Sequence, residues 1–151
     1  MVTKSFRGKM ADDSVDTITL HTNDGSTGYR LTKFQVMPVN ADTNVETTMA
    51  IYKIPQTAAS TDVDFSNSSL LAAAIYTTSS SNLYNPEPII IFDNEIFNQD
   101  IFITIKGSTA AQAAMNYYIE LEQIKLDLNE NTVATLKDIR NIDQQFDTTI
   151  N

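Results

Sequence analysis

NQDIFITIKGSTAAQAAMNYYIELEQIKLDL, residues 98–128, contains two runs whose side-chain period decides the fold. In residues 100–106, Ile101, Ile103 and Ile105 alternate with Phe102, Thr104 and Lys106, so one face of a pleated strand is wholly branched aliphatic. That predicts a core strand. After a connection of small residues, 107–114, Tyr117, Ile119 and Leu121 alternate with Tyr118, Glu120 and Glu122, and from Ile124 the apolar positions become even: Ile124, Leu126 and Leu128. Both halves can face one core only if an extra residue intervenes, which predicts a long, bent strand with a β-bulge at Glu122-Gln123. Two short strands meeting at a corner would carry the same pattern.

Outward from this pair the period stays close to two. Residues 15–22 set Ile18 and Leu20 on one side and Thr17, Thr19 and His21 on the other. Asp24-Gly25 then supplies turn chemistry, because both residues tolerate positive φ, and residues 28–36 read as the return strand. The apolar phase of that strand changes between Leu31 and Phe34, which predicts a bulge or a passage between two sheets. Residues 47–54 are apolar on both faces, the mark of a central strand or of one with a covered outer face. Pro38 and Pro55 end their strands, and the polar stretch to Asp64 reads as a long surface loop. Residues 69–77, SLLAAAIYT, mix helix formers with strand formers; flanking β runs and poor caps favour a strand. Residues 78–88 read as an exposed loop and 89–92 as a short, fully buried strand. Residues 93–95 turn the chain, and Ile96 and Phe97 cover the core.

The two ends differ from the middle. Residues 4–10 carry Lys4, Arg7 and Lys9, three of the ten basic residues, and form either an arm or an edge strand whose charges blunt edge pairing. In the tail, Val133, Leu136, Ile139, Ile142, Phe146 and Ile150 recur at helical spacing behind the capping residues Asn129 and Asn131. This stripe needs a surface, its own sandwich or a neighbouring subunit. The expectation is a mainly β chain: an antiparallel two-sheet sandwich, jelly-roll-like, over residues 1–128, with a C-terminal helix or extended tail over 129–151.

Composition narrows the chemistry. At 151 residues and 42% hydrophobic, the chain is one domain able to bury a core without staples. It has no cysteine, one histidine (His21) and four glycines, which removes thiol chemistry, histidine clusters and glycine-rich phosphate loops. A net charge of −9 disfavours attraction to nucleic acid or an anionic membrane. Apolar runs are shorter than a membrane span, and the first ten residues lack the apolar stretch of a signal peptide. Carboxylates gather at Asp12, Asp13 and Asp16, at Asp62 and Asp64, and at Asp93 and Glu95. The run from Asp62 opens like a calcium loop but lacks the sixth-position glycine and the closing glutamate, so its acids are read as bonding their own backbone. Glu120 and Glu122 could serve a glycosidase, but they read as a solvated face. His21 reads as a surface residue, and Tyr29 and Tyr84 as packing or loop residues before sugar binders. The sequon Asn67-Ser68-Ser69 matters only under secretion. No catalytic residue, cofactor or metal is expected.

Several stretches resemble a known family. Gly8 and Lys9 followed by Asp12-Asp13-Ser14, LHTNDGSTGYRLTKFQVMP (20–38), VDFSNSSLLA (63–72), IIIFDNEIFNQDIFIT (89–104) and NYYIELEQIKLDLNENTVATLKDIRNI (116–142) are similar to small virion proteins of short-tailed bacteriophages infecting marine cyanobacteria and pelagic α-proteobacteria. The resemblance implies a non-enzymatic structural component of the capsid surface, a decoration or cement protein made in the host cytoplasm and bound to the major capsid protein. Self-association into dimers or trimers on the particle is compatible with it, and neither nucleic acid nor membrane is a direct partner. Attachment would draw on Lys4, Arg7 and Lys9 or on Leu136, Ile139, Ile142 and Phe146. The alternative is a receptor- or glycan-binding module of a head or tail fibre, since jelly-roll sandwiches also serve as lectins.

Overall fold

The computed structural model describes residues 2–20, 26–40, 45–77, 88–109 and 112–126. His21, the Asp24-Gly25 turn, Tyr84 and the tail with Leu136, Ile139, Ile142 and Phe146 lie outside the described residues.

Among the described residues nine strands follow one another: β1 (Val2–Met10), β2 (Ser14–Ile18), β3 (Thr27–Pro38), β4 (Glu46–Tyr52), β5 (Leu70–Thr77), β6 (Ile89–Ile91), β7 (Ile96–Phe97), β8 (Ile101–Gly107) and β9 (Met115–Lys125). They form two antiparallel sheets, one in the order β1-β9-β3-β7 and the other β2-β8-β4-β5-β6. The pairings β1 with β9, β2 with β8, β3 with β7 and β4 with β5 are nested, as if one long hairpin had been wound around a common core. Eight strands so arranged in two facing sheets make a jelly roll, with β6 added at one edge.

The inner faces follow the alternation of the sequence. Ile101, Ile103 and Ile105 of β8 are fully buried against Met115, Ile119 and Leu121 of β9 and Leu31 of β3. Each such side chain contributes roughly 1.5–3 kcal/mol of burial free energy. β4 is central, as its two apolar faces require. Met49 and Ile51 face the main core, while Ala50 and Tyr52 join Leu70 and Ala73 in a second cluster on the outside, covered by Val63 and Phe92. The loop between β4 and β5 therefore lies across the outer face of its own sheet, where the Thr48 hydroxyl donates to the Thr61 carbonyl at 3.3 Å. Burial raises the Tyr52 phenol above its ordinary pKa, with the Asp64 charge adding to the effect.

Three expectations need correction. The register of β9 against both neighbours runs unbroken through Glu122 and Gln123; the bulge sits in β3 instead, where Leu31 and Lys33 pair with the consecutive residues Leu121 and Glu120 and Thr32 is left over. Ile124 and Leu126 do not join the main core cluster, although Leu126 is buried. They lie on the outer face, where Leu126 packs beside Ile96 in space that a Cβ on Gly28 would fill, at 2.9 Å from the leucine. β2 and β3 belong to opposite sheets, so the runs flanking Asp24-Gly25 do not form a hairpin. Residues 89–91 form an edge strand that is not fully buried, with Ile90 42% exposed. The ambiguous run at 69–77 is strand β5.

Candidate functional site

Residues 4–10 are an edge strand rather than an arm. Pairing with β9 places Arg7 opposite Tyr118 and Lys9 opposite Asn116, and β3 continues both rows with Gln35 and Met37. These six side chains share the outer face, because directly opposed residues point the same way and Gly8, Tyr117 and Val36 take the inward positions between them. Lys4 does not share that face. It stands opposite the buried Leu121, and its ammonium donates to the Tyr29 hydroxyl at 3.1 Å and lies 5.3 Å from the ring centre. Tyr29 is itself buried beside Phe97, which removes it as a sugar-binding residue.

Charge divides this outer face in two. Toward one end Arg30 pairs with Glu122 and Lys33 lies 3.9 Å from Glu120, so the two glutamates are neutralised by neighbours across the strand. Toward the other end Arg7 and Lys9 are exposed and have no carboxylate partner among the described residues. Tyr118 connects the halves, its hydroxyl donating to Glu120 Oε1 at 2.7 Å, and that bond to a carboxylate raises the phenol's pKa. Over the basic end is an open concavity of about 780 Å³ lined by Arg7, Lys9, Gln35, Met37, Asn116 and Tyr118, with Ile89 at its margin. Met37 is 61% exposed there. Below it the Tyr117 ring crosses Gly8, where a Cβ would stand 2.7 Å from the phenol oxygen; burial, then the charge of Asp16, raises the Tyr117 pKa.

A second exposed patch lies on the opposite sheet. Phe65, Ile75 and Ile90 border an apolar depression of about 190 Å³ with Val63, Ala73 and Pro88, and Phe65 meets Phe92 edge-on at 5.3 Å.

Most of the acidic groups singled out in the sequence are tied into the fold. Asp64 Oδ1 accepts from the Ser66 backbone at 2.9 Å and from its hydroxyl at 2.6 Å, bonds that hold the carboxyl below the usual range. Asp12 bonds the β8–β9 connection, Asp13 pairs with Lys106 at 3.1 Å and Glu95 with Lys53 at 3.3 Å. Among the described residues no three metal-ligating side chains stand together, and no helix is long and apolar enough to cross a membrane. Sequence density alone pointed to Arg7 and Lys9. Gln35, Met37, Asn116 and Tyr118 were missed, because only the register of β1, β9 and β3 brings them together.

The chain matches no family model, no curated protein and no solved structure.

Proposed function

We propose that this chain is a non-enzymatic structural protein of a bacteriophage particle, decorating or cementing the capsid by binding the major capsid protein. The observation that supports this most is the distribution of surface: a jelly roll whose inner faces are filled by aliphatic side chains, with an open concavity of about 780 Å³ beside Arg7 and Lys9, two cations that have no carboxylate partner among the described residues. A surface of that kind suits protein attachment, and the sequence resemblance supplies the setting. The partner is the capsid lattice, and neither nucleic acid nor membrane is contacted directly.

A glycan-binding fibre module is the second reading, favoured by the amides of Gln35 and Asn116 beside the Tyr118 ring. Copy number separates the two. Quantitative mass spectrometry of purified particles is expected to give a count in proportion to the capsid lattice; a count following the low symmetry of the tail would overturn the decoration reading. For a cement role, stripping the protein with salt must also weaken the heads. Heads that stay equally robust leave decoration without cementing.

A further inference from the structure

We infer that the free edge of β1 accepts an added strand from an acidic segment of a partner protein, with carboxylates at alternate positions opposite Arg7 and Lys9. This deepens the attachment proposed above and rests on it for the partner's identity as a shell protein.

Among the described residues, β1 is the outermost strand of its sheet and pairs only with β9, through nine consecutive residues without a shift. The other three edge strands are short: β2 has five residues, β6 three and β7 two. Exposed edges are usually blunted by brevity, proline, bulges or inward charge, because their unpaired backbone groups are a template for another chain. β1 has none of the first three. Its regular edge runs for roughly 30 Å, and its outward guards are Arg7 and Lys9.

Those guards select the occupant. Arg7 and Lys9 are two residues apart on one face, so about 6.6 Å separates them along the strand. Side chains of an added strand stand about 4.5–5.5 Å from those they oppose, which matches carboxylates at alternate positions one for one. A second copy is a poor fit, since β1, VTKSFRGKM, holds no acidic residue and self-pairing brings cations to cations or to neutral groups. Nucleic acid is also a poor fit, because two cations release few counterions and the rest of the chain carries the net charge of −9. Strand addition draws affinity from the main chain and selectivity from the alternating side chains.

The test uses the full chain and two short capped peptides that alternate Thr or Val with Glu in one and with Lys in the other. Amide hydrogen exchange is expected to slow about tenfold at alternate β1 amides with the Glu peptide and not with the Lys peptide. R7E/K9E is expected to reverse that preference, and R7Q/K9Q to lose the Glu peptide at an unchanged melting temperature. Protection appearing instead around Phe65 and Ile90, equal response of wild type and R7E/K9E, or displacement of the Glu peptide by single-stranded DNA at roughly 0.15 M salt would each overturn the inference. The two readings fail separately. Lattice-proportional copy number with no β1 protection removes strand addition alone; β1 protection in a protein absent from particles removes the capsid role alone.

Discussion

Asp12 and Gly107, 95 positions apart, are joined by a hydrogen bond of 2.8 Å from the Gly107 backbone N–H to Asp12 Oδ1. The second oxygen of the same carboxylate accepts from the Gln112 N–H at 3.1 Å. One side chain in the β1–β2 corner thus holds both ends of the β8–β9 connection. The corner turns on Asp13, whose φ of 59° is left-handed and among the residues that tolerate it. Gln112 extends the junction to β4, accepting from the Glu46 N–H at 3.2 Å.

Asp12→Ala leaves two backbone donors without their charged acceptor and is expected to cost about 2–3 kcal/mol. Urea denaturation checks this: the midpoint falls while the slope stays that of the wild type. A loss below the scatter of exposed substitutions would show that water replaces the carboxylate.

Thr32 is the unpaired residue of the β3 bulge. Without it the strand reads Tyr29, Arg30, Leu31, Lys33, Phe34, Gln35, Val36, a regular alternation with every apolar residue facing inward. Deleting Thr32 is therefore expected to preserve the fold at a cost of about 1–2 kcal/mol, from lost twist and the lost Thr32 bond to the Glu120 carbonyl. Deleting Glu120 from β9 shifts one half of an unbulged strand to the wrong face and is expected to abolish cooperative thermal unfolding.

Lys53 is charged and buried, its side chain 2% exposed, and it pairs with Glu95 at 3.3 Å. Glu95→Ala strips a buried ammonium of this partner and is expected to cost about 2 kcal/mol or more, whereas Lys53→Met is expected to lie within about 1 kcal/mol of wild type. A double-mutant cycle by chemical denaturation measures the coupling; zero coupling would show that the Glu95 pair adds nothing to the stability of the buried lysine.

Tyr52 and Tyr117 both have phenol pKa values raised above the ordinary 10.0, chiefly by burial. A raised folded value means the folded state holds the proton more tightly than the unfolded chain. The resulting stability is complete below pH 10 and is lost as pH rises through the folded value. Melting temperature is expected to fall above about pH 10, with a shallower fall in Tyr117→Phe. An unchanged alkaline limb in that variant would show that Tyr117 ionises without opposing the fold.

Much of the sandwich was readable because the period of two survives wherever a strand buries only one face. Ile101, Ile103 and Ile105 declared β8, and the phase change between Leu31 and Phe34 marked a true bulge. The same logic failed at Glu122-Gln123, since Ile124 and Leu126 are apolar for a local reason on the outer face, the space beside Gly28, and not for the core. Asp24-Gly25 misled in another way: turn chemistry fixes a reversal but not which sheet the next strand joins. The candidate site was half legible. Basic residues concentrated in one strand of an acidic chain pointed to Arg7 and Lys9, whereas the inward turn of Lys4 and the company of Met37 and Tyr118 depend on pairings between residues about 80 to 120 positions apart.

The nesting of β1 with β9 also sets a timetable. A ribosome adding about 5–20 residues per second makes β9 roughly 5–20 s after β1, and for that interval the first strand lacks β9, the one strand it pairs with among the described residues. Arg7 and Lys9 are exposed cations on this strand both during that interval and in the folded chain. Like charges so placed disfavour edge pairing between nascent copies on adjacent ribosomes until β9 emerges.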